Sequence, residues 1–271
     1  MSQTIIALAI NGIVFGLIVA LIALGLSIIF GLLDIINLSH GDFFMVGTVI
    51  AYTTLASLGY YWPALLIAPL IGFALGALIQ FSIIQRIKNN AALSIVATFG
   101  LSMIIQEVVR MTFGAAPKRI MPPISGTFGM FGIEYEWYRI FAALASIIAI
   151  GSFFIFLKST KLGVWMRAVR HDRDTATTMG IPTQQIYLFT FGIGFAMAAI
   201  GGVIAAPITT VDFRTGVDIL PFCFMAVIIG GLGNLPGTVA AAVLLAFLEG
   251  VISGFATPTI ARIFSLVLMS S

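Results

Sequence analysis

The chain has 271 residues, of which 60% are hydrophobic and only 8% charged, whereas globular chains carry roughly a quarter charged residues. A chain this oily is not built to meet water over its surface. The formal net charge of +3 comes without any basic stretch interleaved with aromatics, which argues against nucleic acid as a partner, and one cysteine excludes an intrachain disulfide or a cysteine metal site.

The N-terminus, MSQTIIALAI, lacks a basic n-region and a small-residue cleavage site, so the first apolar segment is expected to stay as a span. That span, Ile5 to Leu33, exceeds the roughly 20 residues needed to cross hydrocarbon. Gly12 and Gly16 form a GxxxG pair, and small residues let helices approach closely in lipid. The span runs into INLSHGD, where polar groups interrupt the apolar pattern. A second span, about Phe43 to Leu58, ends at GYYWP, whose Tyr60, Tyr61 and Trp62 suit a membrane interface. The third covers about Ala64 to Ile84, with a second GxxxG pair at Gly72 and Gly76, and leads to the short basic loop RIKNN. Span four, about Leu93 to Met111, carries Glu107 and Arg110 three apart on one face, where they neutralise each other. The Gly- and Pro-rich stretch from Phe113 to Trp137 is expected outside, before span five, about Tyr138 to Leu157.

Lys158 to Pro182 is the one densely charged hinge. Its excess of Lys and Arg beside span ends points to the cytoplasm, with RIKNN on the same side and the N-terminus outside. Leu162, Trp165, Met166 and Val169 repeat at i, i+3, i+4, i+7 and give a short amphipathic helix, flanked by Arg167 and Arg170. Asp172 is placed to cap a second helical turn, closed by Gly180 and Pro182. One reading is a polar loop whose apolar stripe rests on the membrane surface. The stripe is short for firm interfacial binding, and a docking surface for a cytoplasmic partner explains the second capped turn better.

Beyond the hinge, Ile186 to Ala206 returns across the membrane, and TTVDFRTGVDILP follows as a re-entrant or external loop. Phe222 to Ile229, which holds Cys223 as a small apolar packing residue, is too short to cross and breaks at GGLGNLPG. Thr238 to Ile252 crosses back, with a third GxxxG pair at Gly250 and Gly254. The last run, Ile260 to Ser271, is too short to span and has no polar tail, which reads as a truncated end. The expectation is an all-α polytopic membrane protein with roughly eight to nine membrane segments and interrupted helices. It forms one domain over 1–271, with halves 1–157 and 183–271 about a cytoplasmic loop at 158–182.

Inside a bilayer, a broken helix is tolerated only where backbone groups are buried in protein or line water. Asn37, Ser39, His40, Gly41 and Asp42 supply such a break, as do Gly230, Gly231 and Gly233. Each reads either as part of a solute path or gate, or as a turn; in the first, the turn reading has Asp42 capping the next span. Interrupted segments in both halves are what transporters show around a midplane pathway. No GxxxxGK[ST], HExxH or GxSxG occurs. Enzyme chemistry, a metal or a cofactor has no visible home here, and any ATP hydrolysis belongs to another polypeptide.

Three stretches carry a family likeness: GLLDIINLSHGDFFMVG, LGVWMRAVRHDRDTATTMGI and AVIIGGLGNLPGTVAAAVLLAFLEG. In them the chain resembles the permease subunits of high-affinity branched-chain amino acid ABC importers of bacterial and archaeal membranes. The resemblance implies that Gly163, Arg167, Ala168, Ala176 and Gly180 belong to a coupling loop docked on an ATPase subunit. It further implies a second, homologous permease, two cytoplasmic P-loop ATPase subunits that bind the ATP, and a periplasmic or extracellular solute-binding protein. The place is the bacterial or archaeal inner or plasma membrane. Urea and short-chain amide importers use similar permeases, and these motifs do not separate them. An ion-coupled secondary transporter or channel is the rival from another class; such carriers place ionisable groups mid-membrane, whereas here only Glu249 lies deep by sequence position.

Overall fold

The computed structural model describes residues 2–87, 90–130, 133–255 and 267. Among them, seven helices have the length and apolarity to cross a membrane. They are α1 (Ser2–Leu33), α2 (His40–Leu58), α3 (Ala64–Ile79) with its continuation, α5 (Ala91–Phe113), α6 (Trp137–Ser159), α9 (Thr183–Ala205) and α11 (Leu235–Ile252). The continuation of α3 is a π-helical turn, Gln80–Ile84, and the short α4, Gln85–Ile87. Two short helices, α7 (Lys161–His171) and α8 (Arg173–Thr178), form the hinge, and α10 spans Thr215–Ile229.

The described count is therefore seven long helices plus α10, and the expected last run at 260–271 lies outside the described residues except for Val267. The fragment expected at Phe222 to Ile229 is the second half of α10. TTVDFRTGVDILP is only partly a loop: α10 starts at Thr215, whose hydroxyl accepts from the Asp212 N–H at 3.2 Å. Within the Gly- and Pro-rich stretch, β1 (Thr127–Met130) and β2 (Ile133–Glu136) pair antiparallel, Thr127 opposite Glu136.

The core runs along α1. Its middle, Ile18 to Leu24, is fully buried, because α11, α9, α6 and α10 surround it. Lipid tails are as apolar as leucine, so close packing rather than burial from water holds such helices together. All three GxxxG pairs serve that packing. A methyl group at Gly12 would stand 2.6 Å from the Ala246 carbonyl oxygen, and one at Gly250 2.6 Å from that of Leu8. Across the bundle, one at Gly76 would stand 2.7 Å from the Phe191 carbonyl. Thus the first and last described spans lock together, while α3 locks onto α9.

Connections sort onto two ends. At one lie the ends of α1 and α6, the starts of α5 and α9, and the hinge; at the other lie 59–63, 114–136 and 206–214. The far end is tied by polar contacts. Tyr138 donates to the Ile204 carbonyl at 2.9 Å, and Tyr61 donates to that of Val203. Lys118 and Val211 form an isolated antiparallel bridge. Asn11, on the first turns of α1, accepts from Tyr135 at 3.1 Å and Arg139 at 3.0 Å.

Candidate functional site

Helix α1 stops at Leu33, where Asp34 takes a left-handed conformation (φ 52°). The chain then turns back into the bundle, and α2 starts at His40. The depth follows from one contact: His40 Nε2 lies 3.0 Å from the carbonyl oxygen of Ile22. Ile22 is eleven residues before the end of α1, roughly 16 Å along its axis. The break therefore sits inside the bundle, not at its edge, and the surface-turn reading does not hold. Asp42 does not cap α2 either. It lies in the first turn, and Ser39 at the cap position makes no side-chain cap bond.

What Asp42 does instead involves α5. Its Oδ1 accepts from Gln106 Nε2 at 3.1 Å, and the same amide group donates to Ser102 at 2.7 Å. Thr98 accepts from the Leu38 N–H at 3.1 Å. Ser94, Thr98, Ser102 and Gln106 recur every four residues, so they form one polar line on α5. Sequence reasoning missed this line, although polar side chains at four-residue intervals in an otherwise apolar span were the signal. Asn37 accepts from Ser39 N–H at 3.1 Å and from its hydroxyl at 2.8 Å. Asn37, Ser39, His40 and Asp42 are all buried, yet Asn37 Nδ2, His40 Nδ1 and Asp42 Oδ2 have no hydrogen-bond partner among the described residues. On the other side of the break, Gly41 meets Gly216. A methyl at Gly41 would stand 2.1 Å from the Gly216 carbonyl oxygen, which brings the N-terminal ends of α2 and α10 together.

The hinge is a capped helix pair. Thr160 caps α7 by accepting from the Gly163 N–H at 3.1 Å. Asp172 caps α8, accepting from the Asp174 and Thr175 N–H groups at 2.9 and 3.0 Å. The Thr175 hydroxyl, and then its N–H, hold the Asp172 carboxyl below the usual carboxylate range. Gly180 closes the pair at φ 80°. The apolar stripe packs inward. Met166 and Val169 are buried in the protein's own core, with Leu162 and Trp165 packed against it and Ala176 buried beside them. Periodicity identified the apolar face, and the bundle itself fills it. Gly163 fits tightly there, since a methyl would stand 2.3 Å from the Leu157 carbonyl. Arg167 turns back too, donating to that Leu157 carbonyl, while Ala168 is half-buried. The outward face holds Val164, Asp174 and Met179, the last 77% exposed, while the exposed His171, Asp172 and Arg173 border a cleft against the end of α1 and the start of α5.

Gly230, Gly231 and Gly233 join the hinge, not the Asn37–Asp42 break. They form the turn between α10 and α11, with Gly231 at φ 90° and Gly233 at φ 76°, and Asn234 caps α11 by accepting from the Gly237 N–H at 3.2 Å. The Arg170 guanidinium lies over Gly233, where a methyl would stand 2.8 Å from its Nη2, and Gly31 of α1 packs on the same spot. Hinge, α1 end and α10–α11 turn are thus one contact.

Residues 8–270 match the family described as branched-chain amino acid transport system / permease component. The chain belongs to that family. It is 26% identical over 280 residues to the high-affinity branched-chain amino acid transport system permease protein LivH of Escherichia coli K12, covering 96% of this chain and 89% of the relative. It is 27% identical to BraD, the corresponding permease protein of Pseudomonas aeruginosa, over 89% of this chain and 83% of that one. It is also 26% identical to the fructose import permease protein FruF of Bifidobacterium longum, over 84% and 65%. No solved structure matches. The permease is thus a multi-pass membrane protein and a transport component, not an enzyme.

Proposed function

We propose that this permease forms the translocation path of an ABC importer for branched-chain amino acids, with leucine, isoleucine and valine as solutes. Two P-loop ATPase subunits bind the ATP, a second homologous permease completes the path, and an external solute-binding protein delivers the solute. The observation that carries this reading is the hinge. One face of the α7–α8 pair is keyed into the bundle through Met166, Val169, Arg167 and Arg170, and the other face is open. A stiff element of that kind transmits a push from a cytoplasmic partner to α1, α6 and the α10–α11 turn. The path runs along the polar seam between α5 and the Asn37–Asp42 break. Urea and short-chain amides are the nearest alternative solutes.

Asp42 favours a second reading. Sequence position put the acids near span ends, yet Asp42 is 1% exposed and deep in the bundle, where ion-coupled carriers keep their carboxylates. Uptake in proteoliposomes separates the two. The importer takes up leucine only with internal ATP, ATPase subunits and binding protein. Uptake that instead follows a proton or sodium gradient without ATP selects the carrier.

A further inference from the structure

Two cavities at the hinge end, of about 290 and 450 Å³, adjoin each other: Leu33, Ile35, Ser94, Arg173 and Tyr187 line both. Together they make one cleft between the end of α1, the start of α5, the π-turn and the hinge. Gln80 lines the first cavity and is 4% exposed, yet its side-chain carbonyl oxygen has no hydrogen-bond partner among the described residues. It opens the π-turn Gln80–Ile84, and such turns recur at functional sites. Arg173 stands on the shared wall, its guanidinium 5.2 Å from the Tyr187 ring centre. Asp34 lines the second cavity. Among the described residues the ion pairs are Glu107–Arg110 and Glu136–Arg139, and neither Arg173 nor Asp34 takes part in one of these.

The second cavity is also lined by Arg170, His171 and Asp172, but Arg170 lies against Gly233 and Asp172 is engaged at the α8 cap. The cleft thus offers the Arg173 guanidinium, the Asp34 carboxylate and the buried Gln80 acceptor, beside the apolar side chains of Leu33, Ile35 and Ile84. That set is complementary to a small molecule carrying a carboxylate, an ammonium and a short apolar group. Its size falls in the range of small-ligand sites, roughly 300–1,000 Å³. We propose that this cleft binds a free α-amino acid from the hinge side and thereby slows import. The carboxylate pairs with Arg173, the ammonium with Asp34, and a further ammonium N–H reaches Gln80. Arg173 belongs to the hinge, directly after the Asp172 cap, whereas Asp34 and Gln80 belong to the bundle. A ligand bridging them ties the moving element to the fixed one. The effect on import rests on the importer reading above; the binding does not.

The test uses the intact transporter in lipid nanodiscs, without its solute-binding protein, and L-leucine as probe. Wild type is expected to bind leucine saturably. 4-Methylpentanoate and isoamylamine, each lacking one of the two charges, are expected to bind at least tenfold more weakly. Arg173→Gln and Asp34→Asn should each weaken leucine binding at least tenfold, with Gln80→Leu showing a smaller loss. Asparagine tolerates the left-handed backbone at position 34, so that variant changes charge alone. In proteoliposomes, leucine loaded inside should lower the initial rate of ATP-driven uptake by wild type, and the ratio of loaded to unloaded rates should return to near one in both charge variants. Absence of leucine binding by monodisperse wild type, or binding undiminished in both charge variants, overturns the proposal. If binding stands but ATP-driven uptake is absent, the importer reading fails and the site remains. If uptake stands but binding is absent, the site alone fails.

Discussion

Two stretches interrupt their helices with glycine and polar side chains, and they end in opposite surroundings. At 34–42 the chain dives back into the bundle and buries Asn37, His40 and Asp42 with polar atoms unmatched among the described residues. At 230–234 it makes a hairpin turn at the hinge end that settles its own needs, with Asn234 capping α11 and glycines supplying the left-handed residues. Similar composition therefore marks a buried seam in one place and a clamp for Arg170 in the other. What separates them is the neighbouring element: a polar line on α5 faces the first, and an arginine from α7 covers the second.

The largest contrast should come from adding bulk. Gly41→Val forces side-chain atoms into the Gly216 backbone, which has no flexible end to yield, and overpacking of this kind costs about 1–3 kcal/mol or more. We expect little folded protein, read as the monodisperse fraction in detergent. Gly233→Ala meets only the far end of Arg170 and a strained positive φ, so it should fold with a measurably lower melting temperature. Equal yields for the two would remove the distinction between seam and clamp.

Next in size is a charge on either side of α7. Val169→Asp puts an unpaired carboxyl among buried side chains and should destabilise the permease itself by several kcal/mol. Met179→Asp, on the outward face, should leave thermal stability within about 0.5 kcal/mol and lower recovery of co-purified ATPase. Loss of ATPase with Val169→Asp at full stability would mean that the stripe meets the partner after all.

Asp42→Asn is smaller in structure and sharper in function. The amide keeps an oxygen for Gln106 and removes the charge from the seam. Folding yield should stay near wild type, while leucine uptake falls about tenfold, equivalent to about 1.4 kcal/mol of barrier. Uptake at wild-type rate would make the seam a packing feature.

The smallest effect belongs to the Asp172 cap. Its carboxyl titrates below the ordinary value in the folded hinge, so its contribution is present above the unfolded pKa and is lost as pH falls through the lowered folded one. ATPase recovery should therefore be flat from roughly pH 6 to 8 as far as this group is concerned, and Asp172→Ala should lower it slightly at every pH in that range. A drop between pH 8 and 6 that Asp172→Ala abolishes would contradict the assignment.

Much of this architecture was legible because it rests on local rules. Span lengths, the three GxxxG pairs and the Asp172 cap need only spacing and side-chain chemistry. The misreadings share a cause of another kind. Periodicity showed that Leu162, Trp165, Met166 and Val169 form a stripe, but what covers a stripe is a tertiary fact. The choice between seam and cap for Asp42 stayed open in the sequence because Gly-Asp before an apolar run suits either, and its partner, Gln106, is 64 residues away. Likewise, the break at 34–42 was matched with GGLGNLPG by composition, whereas the structure brings the start of α2 to the start of α10.

The pairing of α1 with α11 also bears on how the molecule is made. Helix α1 enters the membrane first, but the glycine face at Gly12 and Gly16 is covered by Val243, Ala246 and Phe247, which emerge from the ribosome more than two hundred residues later. Throughout that interval the central helix waits with its most extensive contact unmade. Membrane chaperones and proteases thus have a long window in which to act on it, and a nascent chain arrested before α11 would present them with a permanently open seam.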